Sequence, residues 1–406
     1  MASRRLPRNV VLLGWVSFLN DVASEMLFPL LPTFLLSVLK GTKEQLGWID
    51  GLAETTSSLL KLWAGAASDR LGQRKAFVVI GYLLAGVARP LIGLSTAPWH
   101  LLTLRAVDRV GKGVRTAPRD ALVAQSASPD ARGRAFGFQR AMDHLGAAVG
   151  PLVAFAFLAA FPGQLRWLFA VSALPAIPIF LLLVWGLREP AAAAASALPE
   201  GPAAELLSPR WALRLPDARF RRYLAAVLVF TLGNASDSFL LVRAGELGVA
   251  TQWLPILWAS FHIVKSAGSQ VAGPWIDRLA PRPVLTAGWL VYAAAYLGFA
   301  WAVTPAQVWA LFFLYAVYYA LAEPAEKALV AQFVPPHEHG LAYGWFHLAV
   351  GLGALPASVL FGVLYQRLGA LAAFGTSASL ALIALGILAS VPASRPVQDA
   401  HRPPAL

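Results

Sequence analysis

Apolar residues gather along this chain in runs of about twenty or more, parted by short polar breaks. A helix needs about 20 mostly apolar residues to cross a bilayer. Twelve stretches meet that length: 9–39, 44–66, 76–95, 99–123, 135–160, 166–187, 220–247, 252–275, 284–303, 305–331, 340–366 and 370–391. The connections are short except at 188–219, "REPAAAAASALPEGPAAELLSPRWALRLPDAR", an Ala- and Pro-rich segment that reads as a linker. The pattern predicts an all-α polytopic membrane protein of twelve transmembrane helices. Its parts would be an N-terminal six-helix bundle (1–187), a cytoplasmic linker (188–219), a C-terminal six-helix bundle (220–391) and a cytoplasmic tail (392–406).

The two halves resemble one another. "DALVAQSASPDARGRAFG" at 120–137 matches "KALVAQFVPPHEHGLAYG" at 327–344, with ALVAQ identical at an offset of 207. Extended to 115–150 against 322–357, the register holds twelve identities in thirty-six positions. "SDRL" at 68–71 and "IDRL" at 276–279 align at an offset of 208, and Ser24-Glu25 corresponds to Ser236-Asp237 more loosely. Six spans fit each half, so the halves are parallel repeats and predict two pseudo-symmetric bundles. Transporters with a central site use this design.

Composition supports a membrane setting. The 406 residues are 58% hydrophobic and 13% charged, against about 25% charged in soluble domains. The net charge of +12 fits cationic cytoplasmic loops better than nucleic-acid binding, because no basic run is interleaved with aromatics on a polar segment. With the N-terminus inside, the inner face receives Arg4, Arg5, Arg8, Arg70, Arg74, Lys75, Arg132, Arg134, Arg188 and others, while the outer face receives mainly Lys40, Lys43, Arg166 and Arg367. Both termini are therefore expected in the cytoplasm of a cell (inner) membrane protein. The first span continues past Asn20 and Asp21 with no clear cleavage site and reads as a helix, not a signal peptide. The absence of cysteine excludes disulfides, thiolate metal sites and cysteine nucleophiles.

Charges inside a bilayer are costly unless they meet a partner or a wet cavity. Spans six, nine and twelve carry almost none, and span three has only Arg89. Every third helix is thus expected to face lipid. On span four, Arg105, Asp108, Arg109, Lys112, Arg115, Arg119 and Asp120 fall within an arc of about 140° at 100° per residue. This is a polar stripe. Asp21 and Glu25 share one face of span one, and Asp50, Glu54 and Lys61 share one of span two. Span five adds Arg140, Asp143 and His144, and span ten adds Glu323, Glu326 and Lys327. Arg105, Asp108, Arg109 and Lys112, with Asp237, Lys265 and Glu323 of the second half, are the cavity candidates. The alternative for each is an internal salt bridge. Asp21, Glu25 and Glu54 are candidates for proton uptake and release, since burial disfavours a carboxylate's charge. Their alternative is permanent pairing with a span-four base. Arg115, Arg119 and Asp120 lie nearer the inner end and suit structure or gating, and Pro118 invites a bend or an early end there. His262 is a further cavity candidate, and His347 reads as a packed or interhelical hydrogen-bonding residue.

"GAASDRLGQRK" at 65–75 resembles the G-x-x-x-D-R-x-G-R-R-K signature of the major facilitator superfamily, with Gln73 in place of an arginine. "GPWIDRLAPRP" at 273–283 is a degraded copy. The resemblance implies two bundles that rock about a central site. It gives Gly65 a role in close helix packing, and Asp69 a helix terminus to latch in the outward-facing state. Arg70 would pair with a carboxylate of the same gate, which Arg74 and Lys75 complete. Arg105 resembles the superfamily's span-four arginine, although the usual glycine four residues later is Arg109 here. Gly137, Gly146, Gly150-Pro151 and Ala154 resemble an antiporter signature of span five, with Ala for the last Gly. Gly146 and Gly150 also form a small-xxx-small packing face, and Pro151 frees a carbonyl.

The expected function is a proton-coupled secondary transporter, most readily an exporter of a small organic solute. A proton-driven uptake symporter for an anionic solute is the alternative. A membrane-embedded enzyme or a non-transporting sensor would be of another class, and no nucleophile motif, phosphate loop or metal cluster supports the enzyme. The expected partners are the solute, protons and the bilayer. A monomer is expected, with no cofactor and no metal.

Overall fold

A computed structural model describes residues 6–127, 132–189, 217–334 and 339–392 of the chain. Most of the expected linker and tail therefore lies outside the described residues. The described residues form twelve long helical elements in chain order. These are α1 Arg8–Val38, α2 Lys43–Leu71, α3 Arg74–Ile92, α4 Pro98–Ser126, α5 Arg132–Ala160 and α6 Leu165–Gly186. The second half gives α7 Ala218–Glu246, α8 Leu254–Leu279, α9 Pro281–Trp301, α10 Pro305–Phe333, α11 His339–Leu368 and α12 Ala370–Ser390. Among the described residues, nine are long and apolar enough to cross a membrane. The other three are α2, α4 and α8, with 29, 29 and 26 residues. They have the length; their polar residues lower the hydropathy, and all three line the central cavity.

Local chemistry sets the ends. Thr42 and Gln45 form a reciprocal capping box at the start of α2. Gly72, at φ 62°, closes its far end in the left-handed region that glycine tolerates. Helix α4 runs through Pro118 and ends only at Ser126, so the early end expected there does not occur.

Two helices are interrupted at matching places. In α1 the regular helix stops at Glu25, and a 3-10 turn (Phe28–Leu30) and a π turn (Phe34–Val38) follow. Pro29 and Pro32 supply the cause, since neither has an N–H to continue the ladder. In α7 the helix stops at Gly233 and resumes at Ser238. There Tyr292 donates its hydroxyl to the Gly233 carbonyl at 2.7 Å, and the Ser238 N–H donates to Ser236 Oγ at 3.2 Å. Broken helices of this kind are tolerated where protein or a cavity satisfies the freed backbone.

The packing repeats between the halves. Helix α4 packs on α3 and α2, α1 on α5, and α3 on α6; likewise α10 packs on α9 and α8, α7 on α11, and α9 on α12. The most extensive contacts between the halves are α2 with α11 and α5 with α8, and α7 also meets α1 and α2, and α8 meets α1. A Cβ at Gly47 would overlap the Ser358 carbonyl, and one at Gly51 would lie 2.9 Å from Leu355 Cα. Glycine is what lets α2 and α11 approach so closely.

Candidate functional site: a charged central cavity

A cavity of about 510 Å³ lies between the halves, lined by α1, α2, α4, α7, α8, α10 and α11. Helices α3, α6, α9 and α12 contribute nothing to its wall, as expected for the lipid-facing set. Among the described residues, helix α5 contributes nothing either, so Arg140, Asp143 and His144 stand apart from it.

One end of the space between the halves is closed. Glu246, at the end of α7, accepts from Lys43 Nζ at 2.5 Å and from the Tyr365 hydroxyl at 2.6 Å. The Lys43 ammonium lies 3.8 Å from the Tyr365 ring centroid, and the Lys43 N–H donates to Gln366 at 3.0 Å. All these residues sit at the α1–α2 and α7–α8 end. The wall residues Glu54, Lys327 and His347 are exposed, the last two lying toward the end that holds Arg8 and Ser390. His347, expected as a packed or interhelical hydrogen-bonding residue, is thus a wall residue.

The α4 stripe divides into two functions by contact. Asp108, expected to line the cavity, is 1% exposed and is absent from its wall. Arg89 Nε of α3 donates to its Oδ1 at 2.9 Å, Arg105 donates to Oδ2 at 3.2 Å, and Arg109 Nε lies 3.2 Å from Oδ2. Asn20 of α1 extends the knot by accepting from Arg89 at 3.0 Å and Arg115 at 3.3 Å. Asp108 is therefore the counter-ion of a buried arginine cluster. Arg105, Arg109 and Lys112, at i, i+4 and i+7, do reach the wall. Arg119 instead ties to Asp120 at 3.0 Å and to Ser17 at 3.1 Å.

The acids separate too. Glu25 and Glu54 line the cavity. Glu25 sits at the α1 break, where it accepts from the Trp258 indole of α8 at 2.9 Å and lies 4.0 Å from His262 Nε2. Asp21 does not reach the cavity wall. It takes a hydrogen bond from Asn20 at 2.8 Å and lies against Gly146 of α5. In the second half, Asp237 at the α7 break accepts from Tyr315 at 2.5 Å and Tyr319 at 3.3 Å. Glu323 is held between Lys265 at 3.3 Å and Lys327 at 3.1 Å, with the Lys265 ammonium 4.0 Å from the Tyr319 ring centroid.

The described gate candidates are not part of the cavity wall. Gly65 lets α2 approach Ala117 of α4. The side chains of Asp69 and Arg70 lie outside those described. The backbone N–H groups of Arg74 and Lys75 donate to Glu189 at 3.1 and 2.9 Å, and Lys75 Nζ donates to the Val184 carbonyl at 2.9 Å. Glu189 thus caps the start of α3 with the charge a helix N-terminus favours. Gly146 and Gly150 pack α5 on the α1 backbone within one half, with a Cβ at either meeting Phe18 O or Val22 O at 2.5 and 2.6 Å. Pro151 is buried in the same helix, which continues to Ala160.

Sequence reasoning missed several wall residues. Ser236 donates to Asp50 at 2.7 Å and joins α7 to α2. Glu326, by contrast, is among the span-ten charges legible in the sequence, and it accepts from Trp289 at 3.2 Å. Trp258, Tyr318 and Tyr319 form the aromatic side. "YAVYYA" at 315–320 carried a readable signal, because tyrosines at i, i+3 and i+4 share a face.

The sequence model of the Major Facilitator Superfamily matches residues 13–262 and 244–405. The chain belongs to the major facilitator superfamily. It is 32% identical over 369 residues to an uncharacterised MFS-type transporter of Methanocaldococcus jannaschii, covering 89% of this chain and 90% of that one. A shorter likeness, 34% over 117 residues, joins 27% of this chain to 29% of the multidrug resistance protein MdtH of Photorhabdus laumondii. Among solved structures, the nucleoside transporter NupG superposes with a TM-score of 0.75 at 14% identity, covering 93% of this chain and 98% of that one. At that identity the superposition shows the superfamily fold alone. The twelve-helix, two-bundle architecture and the transporter class are those of the superfamily.

Proposed function

We propose that this superfamily member is a proton-coupled exporter of a small organic solute, working by alternating access about the central cavity. The supporting observation is a charged and aromatic chamber between two pseudo-symmetric halves, closed at one end by cross-half contacts. The partial likeness to a multidrug resistance protein supports export. In this reading the protein acts as a monomer in the cell membrane with both termini cytoplasmic. The cavity then faces the cytoplasm, where an exporter loads.

Asp21, Glu25 and Glu54 remain the proton candidates, and position puts Glu25 first. Its bond to Trp258 crosses between the halves, so protonation there would change the contact that rocking must break and remake. The test is solute flux in vesicles with an imposed pH gradient, using fluorescent organic solutes of either charge. Gradient-driven flux in the wild type, lost in Glu25→Gln while solute binding persists, is expected. Full gradient-driven flux in Glu25→Gln would move the proton role to Glu54 or Asp21. Uptake of an anion by symport is the second reading, favoured by the unmatched donors of Arg109 and Lys112. The direction of flux under the gradient separates the two.

A further inference from the structure

Most charges around the cavity have partners. Glu323 holds two lysines, Asp237 two tyrosine hydroxyls, Glu326 an indole, Asp50 a serine and Glu25 an indole. The α4 bases differ. Asp108 accepts a hydrogen bond from Arg105 Nη1 and from Arg89, and pairs with Arg109 Nε at 3.2 Å without a hydrogen bond, so the Nε donors of Arg105 and Arg109 are left unmatched among the described residues. Among the described residues, no acceptor lies within bonding distance of Lys112 Nζ or of the Arg109 terminal amino groups. Arg109 is buried, yet it lines the cavity. A buried cation with idle donors is costly unless an anion meets it. Glu54 is the matching oddity on the acid side. The residue is exposed in the cavity without a hydrogen bond or ion pair among the described residues, and Lys112, Lys61, Arg109 and Arg105 are the basic groups nearest in effect to it.

We propose that the cavity's solute is an organic anion with a planar apolar body, and that Glu54 is the resident counter-ion it displaces. The anionic group docks between Arg109 and Lys112, beside Arg105. The body lies toward Phe28, whose ring centroid is 5.7 Å from the Arg105 guanidinium, and toward Trp258 and Tyr319 of the other half. Without solute, Glu54 partly neutralises Lys112 and Arg109 across water. With solute, the anion takes that place at shorter range. This substrate class rests on the cavity being the transport site, and it holds for either direction of flux.

Charged thiol reagents test the proposal without a known solute, because the native chain has no cysteine. Val350 lines the cavity on α11. In Val350→Cys, the labelling rates of an anionic (sulfonatoethyl) and a cationic (trimethylammonium-ethyl) methanethiosulfonate are measured, each normalised to its rate with free thiol. The normalised anion-to-cation ratio is expected above one. Losing one charge across a water-filled space of this width changes such a ratio by about fivefold. Lys112→Gln and Arg109→Gln should each lower it by about that factor, and Glu54→Gln should raise it. Lys112→Gln decides the matter if Arg109→Gln does not fold. A ratio below one in the starting protein, or one unmoved by Lys112→Gln and Glu54→Gln, overturns the proposal. A ratio above one without gradient-driven flux of any solute would remove the transport reading and leave the anion site. Flux with a ratio below one would do the reverse.

Discussion

Asp108 and Lys112 stand one turn apart on α4 and meet opposite surroundings. Asp108 faces three guanidinium groups with almost no water, and Lys112 faces the cavity. Removing one partner of a buried ion pair typically costs about 3–5 kcal/mol, because the other charge is stranded. A solvated charge is worth about 0–1 kcal/mol. Asp108→Asn should therefore lower the melting temperature in detergent sharply, while Lys112→Gln leaves it nearly unchanged. Arg109→Gln should fall between, since Asp108 keeps Arg89 and Arg105. Equal melting losses for Asp108→Asn and Lys112→Gln would contradict this division of the stripe. The stripe itself was legible from the sequence, because helical periodicity places its seven charges on one side. Its division was not. Asp108 lies in the same arc as Arg105 and Arg109, and only the neighbour supplied by α3, Arg89, draws it away from the cavity. Asp21 and Glu25 stand one turn apart in the regular part of α1, as their spacing implies, but only Glu25, its last residue, lines the cavity, while Asp21 lies against Gly146 of α5.

At the scale of elements, the α2–α11 contact is the hinge-like seam between the halves. Its closeness depends on glycines whose added Cβ would meet backbone. Gly47→Val should push the helices apart at the closed end. The expected result is faster labelling, from the outer face, of a cysteine at 350, or a lower melting temperature where the seam cannot adjust. Unchanged labelling and unchanged melting would show that the seam tolerates a side chain. Span positions were legible to within a few residues, since twenty-residue apolar runs leave little freedom. The exceptions are informative. The apolar run of span two, 44–66, ends before the polar "SDRL", but α2 continues through it to Leu71. The helix persists there on its α4 contacts and its glycine cap. The break in α7 left little trace, because it depends on distant groups such as Tyr292.

At the scale of the whole molecule, the repeat predicted two alike bundles, and the packing follows it pair by pair. Which end would be closed was not readable, because the latch joins Lys43, Glu246 and Tyr365 from three distant parts of the chain. Glu246→Gln should weaken that end and raise outer-face labelling at 350. The central claim is that one cavity is presented alternately to the two faces of the membrane. It is tested most directly in vesicles carrying Val350→Cys together with Lys43→Cys and Gln366→Cys, the last pair joined by a cleavable thiol cross-linker before labelling. With the seam joined, an impermeant reagent should reach position 350 from the cytoplasmic face alone. Cleaving the link should restore labelling from both faces. Labelling from the outer face that persists while the seam is joined, or that never occurs once it is cleaved, would contradict alternating access through this cavity.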